Sequence, residues 1–130
     1  MIVFLLLRPD VMGFTHFANV EDICARLILH LIHAYRDSFM DNKILEEGGW
    51  TVASDGHSAN KTYRFSSFSA AVGWMESLVD QIDALNHHPE WQNVYNCVEV
   101  RLTTHDAGTL TELDIQLARV LDQSFDLMQG

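Results

Sequence analysis

The sequence is short of positive charge. Eight Lys and Arg stand against eighteen Asp and Glu, a net charge of −10 over 130 residues. A nucleic-acid footprint needs the opposite balance, so direct DNA or RNA binding is disfavoured. An anionic membrane surface is disfavoured for the same reason. Cysteine is scarce too: Cys24 and Cys97 form no CxxC pair and no zinc-ligand spacing. They are expected to be free, buried thiols in a reducing compartment. Long apolar runs are missing. The longest, Ile2 to Leu7, has six residues, where a membrane span needs about twenty. It follows Met1 with no basic stretch and leads into Arg8-Pro9-Asp10. That is a poor signal peptide, and the start lacks the Arg- and Ser-rich character of a transit peptide, so a cytoplasmic location is expected. There is no GxSxG elbow, no Gly-rich phosphate loop and no HExxH pair.

What is present is an ordinary globular composition, 48% hydrophobic and 20% charged. The length fits one domain, able to bury roughly two-thirds of its unfolded surface without a metal or disulfide staple. Seven histidines are the first hint of chemistry.

No internal repeat stands out, and residues 1–18 show no clear periodicity. Asn19 reads as a helix N-cap with Asp22 at the capping-box position. Ile23, Leu27, Leu31 and Ala34 recur at helical spacing. The pattern continues through Phe39, Met40, Ile44 and Leu45 until Gly48-Gly49 stops it. His30 and His33 read as flank residues of this helix. Trp50-Thr51-Val52 and Thr62-Tyr63-Arg64-Phe65 read as a hairpin around the turn Ser54–Ser58, with His57 solvated. Ser66 or Ser67 caps a second helix with Phe68, Ala71, Val72, Met75, Leu78, Val79, Ile82 and Leu85 on one wide apolar face, ended by Asn86 and Pro89. Trp91 to Thr104 holds two strands, and Val98, Val100 and Leu102 alternate with Glu99, Arg101 and Thr103, so one face is buried. Thr111-Glu112-Leu113-Asp114 is a capping box opening a last helix. Its apolar residues wrap more than one face, which predicts a second buried surface against another chain. The expected fold is α+β: a four-stranded antiparallel sheet with helices packed on one face, in the order α-β-β-α-β-β-α. Residues 1–36 are an N-terminal extension, helical from about 19, and 37–130 form the domain proper.

The candidate chemistry lies at His87-His88, after the second helix, and His105, after the last strand. Both sites begin loops, where functional groups sit on a rigid scaffold, and imidazole exchanges protons near neutral pH. Asp83 opposes the dipole at its helix's C-terminus and precedes His87 by one turn, so it can accept a hydrogen bond from an imidazole. A three-histidine zinc site is a weaker reading, because adjacent histidine side chains diverge and no further ligand motif supports a metal. Spacing alone leaves two readings open, histidines that pack and cap loops or histidines that move protons, and it favours the first.

A resemblance shifts that balance. The stretch from Asp83 through Asn86-His87-His88-Pro89-Glu90-Trp91 to Tyr95, followed by Leu102-Thr103-Thr104-His105-Asp106-Ala107-Gly108 and Leu110-Thr111-Glu112-Leu113-Asp114, resembles the pterin-4a-carbinolamine dehydratase signature. That signature is an acid, three residues, His-His-Pro, an aromatic, a His ten residues later and an Asp beyond. Gly49-Trp50, Tyr63-Arg64-Phe65 and Phe68 also fit, so the likeness covers about residues 44 to 123. The resemblance implies dehydration of 4a-hydroxytetrahydropterin, the product of aromatic amino acid hydroxylases, to quinonoid dihydropterin, with no cofactor and no metal. It implies that His87, His88 and His105 surround the carbinolamine carbon, with His87 and His105 as the proton-transfer pair and His88 binding the 4a-hydroxyl. Asp83 would orient a histidine, Pro89 and Trp91 would line the pocket, and the backbone of Thr104, Asp106 and Ala107 would meet the pterin's amide edge. Asp114 is explained by its capping box. Two departures stand out: Asp83 is one methylene shorter than the family's common Glu, and Asn86 stands where some members carry Asp.

Relatives that act as dimerisation cofactors of a transcription factor supply the alternative, a binding module without catalysis. The expected assembly is a homodimer or homotetramer. The regular strand Val98 to Thr104 invites pairing at a sheet edge, and the last helix would join dimers.

Overall fold

The computed structural model describes residues 20–130, apart from the side chain of Ser38. The chain divides into two compact units, 1–33 and 34–130. The long helix α1 (Val20–Glu47) begins in the first and ends in the second. Its expected cap, Asn19, lies outside the described residues. In the first unit Val20, Ile23, Leu27 and Leu31 are exposed, and Asp22 and Arg26 pair one turn apart at 3.7 Å. Cys24 is exposed and Cys97 half-buried; both are free, but neither is the buried thiol expected.

Two glycines end α1 where the sequence places the stop. Gly49 has φ +82°, a conformation that L side chains rarely adopt. The chain then forms β1 (Thr51–Val52) and β2 (Ala59–Arg64), helix α2 (Phe68–Leu85), β3 (Glu90–Val94), β4 (Cys97–Leu102) and helix α3 (Glu112–Gln129). The element order and types are those expected. Ser67 caps α2 by accepting from the Ala70 N–H at 3.1 Å, and Asn86 closes it at φ 48°.

The sheet order is β1-β2-β4-β3, antiparallel throughout. β4 is therefore an inner strand, paired on both sides, and its backbone groups are satisfied within the chain. The expectation that this strand offers a pairing edge is wrong: among the described residues the outer strands of the sheet are β1 and β3. Pairwise alternation identifies strands well, but it does not say which neighbours they acquire.

Ala59, Tyr63, Val98, Val100 and Leu102 turn one sheet face toward the helices. α2 presents Ala71, Trp74, Leu78 and Ile82 to it. The apolar face read from the sequence omits Trp74, the largest fully buried side chain, and includes Phe68, Val72 and Val79, which are exposed. Apolar residues cover more than half of α2's circumference, so periodicity alone does not choose the buried half. Trp74 stacks among Tyr63 and Phe65 at centroid distances of 4.6 and 5.2 Å. On α3, Ile115, Leu117, Ala118 and Leu121 are all buried within this one chain. Leu113, Leu127 and Met128 of the same helix stay exposed, while the end of α1, through Ile44 and Leu45, shares a small cavity wall with Ile115 and Ala118.

A polar hub ties this side together. The Asp122 carboxylate accepts from Trp50 Nε1 at 3.0 Å, Lys61 Nζ at 2.6 Å and the Tyr63 hydroxyl at 2.6 Å. Burial, then the bond to Asp122, pushes the Tyr63 phenol far above its ordinary range, so it remains a donor. Asp122→Ala strands three donors, and we expect it to cost roughly 2–4 kcal/mol. Urea unfolding checks this; a change below about 1 kcal/mol would mean that water replaces the carboxylate without loss.

Candidate active site

His87 and His88 follow α2 immediately, where the left-handed Asn86 turns the chain out of the helix. His87 is buried, and its Nε2 lies 2.7 Å from Asp114 Oδ1 in the first turn of α3. His88 is exposed, with Nε2 3.0 Å from Asp83 Oδ1. His105 follows β4 and is also exposed, with Nε2 2.9 Å from Glu90 Oε1. Each of the three therefore meets a carboxylate through Nε2. An ionised carboxylate only accepts, so the Nε2 atoms of His87 and His88 donate, and in their neutral rings Nδ1 carries the lone pair.

These contacts close a ring. Asp114 Oδ2 accepts from Thr104 Oγ1 at 2.7 Å and from the Thr111 N–H at 2.8 Å. Thr104 adjoins His105, His105 meets Glu90, and Glu90 joins His88 through Pro89. The loops after α2 and β4 are thus fastened to each other and to the start of α3. A cavity of about 130 Å³ opens beside this ring, lined by Val79, Ile82, Asp83, His88, Pro89 and Trp91. Four of the expected site residues, Asp83, His88, Pro89 and Trp91, thus share one wall. A larger groove of about 590 Å³ runs over the outward sheet face and meets the ring at Glu90 and near Trp91. It contains none of the histidines, and the smaller cavity is lined by His88 alone of the three.

The loop 103–109 is a tight turn. The N–H groups of Thr104 and Ala107 bond to Thr109 and Thr104 carbonyls at 3.2 and 3.1 Å. The backbone expected to meet a ligand is thereby narrowed: those two N–H groups are engaged, whereas those of His105 and Asp106 and the carbonyls of Asp106 and Ala107 have no backbone partner among the described residues. Tyr95, the aromatic of the signature, sits exposed in the β3–β4 turn at φ 53°.

Three partnerships escape a reading of the sequence. Asp83, one turn before His87, pairs with His88 instead, because the left-handed Asn86 breaks the helical phase after Leu85. Asp114 forms the capping box expected, but the same side chain, fully buried, also holds His87. Its presence in the signature was the available signal. Glu90 carries no such mark, and its neighbours follow from strand register.

The fold and the site together define a class: a small α+β sandwich with three histidine–carboxylate pairs at one end of its sheet. Residues 34–124 match the family model described as pterin 4 alpha carbinolamine dehydratase, and the chain belongs to that family. It is 53% identical over 76 residues to a Rhizobium meliloti (strain 1021) protein provisionally named pterin-4-alpha-carbinolamine dehydratase, covering 58% of this chain and 73% of the relative. It is 44% identical over 85 residues to a like-named protein of Rhizobium johnstonii, covering 65% and 84%. A crystal structure of a transcriptional coactivator/pterin dehydratase from Brucella melitensis superposes with a TM-score of 0.60 at 37% identity, covering 64% of this chain and 89% of that one. No helix among the described residues is long and apolar enough to cross a membrane.

Proposed function

We propose that this protein dehydrates 4a-hydroxytetrahydropterin to quinonoid dihydropterin by histidine acid–base catalysis. Hydroxide leaves C4a and a proton leaves N5, so one water is released and nothing is oxidised or reduced. The reaction asks for an acid at the hydroxyl and a base at the ring edge. The observation that carries the reading is the group of three imidazoles, each with Nε2 within 3.0 Å of a carboxylate, of which His88 lines a cavity. The hydrogen bonds to Asp114 and Asp83 favour the Nε2–H tautomers of His87 and His88, which puts the lone pair on Nδ1. His87 and His105 are the proton-transfer pair and His88 binds the departing hydroxyl. Pro89 and Trp91 flank the ring system, and the free groups of Asp106 and Ala107 face its amide edge. The partner reaction is the aromatic hydroxylation that releases the carbinolamine. An oligomer, if it pairs by its sheet, uses β1 or β3.

Stopped-flow absorbance of carbinolamine dehydration tests this, with His105→Ala as the control. A rate no faster than the uncatalysed reaction would sink it. Exhaustive chelation is expected to leave turnover and the melting curve unchanged, because nitrogens that exchange protons are not available as ligands. Activity that tracks bound zinc would reverse that reading. A second reading, a protein-binding module, has the exposed stripe of Phe68, Val72 and Val79 on α2 in its favour. It leaves dehydration at background and is distinguished by the same assay.

A further inference from the structure

The Glu90 carboxylate stands between two partners. Oε2 accepts from Arg101 Nη1 at 2.8 Å, and Oε1 lies 2.9 Å from His105 Nε2, an ion-pair distance. The first contact is built into the sheet: Glu90 and Arg101 are directly opposed in the β3–β4 register, where cross-strand side chains meet at close range. The second contact reaches the loop that leaves β4 three residues later. His105 has 74% of its side chain exposed, so packing does little to hold its ring. An exposed imidazole on a loop samples several rotamers and both neutral tautomers unless a partner selects one.

We propose that Glu90, locked in place by Arg101, is the positioning residue for His105: it selects the Nε2–H tautomer and the ring orientation that leave Nδ1 free for the reaction. The inference rests on the proton-transfer role given to His105 above and adds the pair that makes the role possible. Two observations support it. The hydrogen bond from Arg101 is the main influence holding the Glu90 carboxyl below the usual glutamate range, so it is an acceptor throughout the neutral range. And the three groups are exposed, with 45% of the Glu90 and Arg101 side chains in solvent. Pairs so placed contribute little to stability, so a role in holding the fold is not what this network supplies.

The experiment uses the full-length protein with Glu90→Leu, Glu90→Gln and Arg101→Met. The tautomer of His105 is read from imidazole ¹⁵N shifts, assigned by comparison with His105→Ala, and kcat and KM are measured alongside. Wild type is expected to show the Nε2–H pattern at His105, and Glu90→Leu to lose it. Glu90→Leu is expected to lower kcat by roughly 10–100-fold with KM changed less than about threefold, the size of effect seen when a supporting contact to a functional histidine is removed. Glu90→Gln keeps an oxygen that accepts from Nε2–H and should recover most of both signals; Arg101→Met should fall between. Melting temperatures should stay near wild type. An unchanged His105 pattern in Glu90→Leu overturns the proposal, as does a Glu90→Gln variant no better than Glu90→Leu. If His105→Ala itself proves fully active, the catalytic role of His105 fails, while the ¹⁵N pattern still decides whether Glu90 sets its ring.

Discussion

Replacing His105 with alanine will lower kcat by roughly 10²–10⁴-fold, the usual value of one acid or base, without disturbing the fold. The side chain is mostly in solvent, and its contact is to an exposed carboxylate. The loss is therefore one of chemistry alone, and circular dichroism should superpose on wild type. His87→Ala is expected to lose as much rate, but for a mixed reason. His87 is buried against Asp114, so its removal leaves a buried carboxylate short of a partner. The position follows a helix, but its side chain is buried against another element, so the replacement is expected to cost stability as well. Unfolding midpoints measured beside kcat separate the two effects. Wild-type turnover in His105→Ala would remove the histidine from the mechanism.

Asp114→Ala should be strongly destabilising. The side chain is fully buried and receives His87, Thr104 and the Thr111 N–H. Removing one partner of such a network costs roughly 3–5 kcal/mol, which in a domain of this size lowers the melting temperature by more than about 10 °C. The capping box alone accounts for about 1 kcal/mol of that. Thr111→Val is the comparison, since it disturbs the cap and leaves the His87 contact in place. If Asp114→Ala melts within about 2 °C of wild type, the histidine contact contributes nothing, and the cap was the residue's whole role. Asp114→Asn keeps the volume but can turn an N–H toward His87. It should therefore recover much of the stability and little of the turnover.

The strands and helices were legible because their signals are local. Ser67 and Thr111 cap, Gly48-Gly49 and Asn86 stop, and Val98, Val100 and Leu102 alternate. The histidines were legible as a trio because the signature spaces them. Their partners were not. The contacts of His87 with Asp114 and of His105 with Glu90 span 27 and 15 residues of chain, and no periodicity reaches so far. The nearest acid in sequence, Asp83, was visible, but which histidine it serves depends on the left-handed turn at Asn86.

The sequence by itself determined the kinds of element, their order, the family and the three imidazoles, since capping, alternation and fixed spacing act through the neighbouring few residues. The tertiary structure decided the rest. Strand order placed β4 inside the sheet rather than at its edge, because pairing is chosen by the folded chain and not by a strand's own pattern. Packing buried Ile115, Leu117, Ala118 and Leu121 of α3 while leaving Leu113, Leu127 and Met128 exposed, and it chose Trp74 over Val72 and Val79 as α2's inward residue, because an apolar surface wider than one face is resolved only by what it meets. And the register of β3 on β4 set Glu90 against Arg101 and within reach of His105, a geometry that exists only once the sheet has formed.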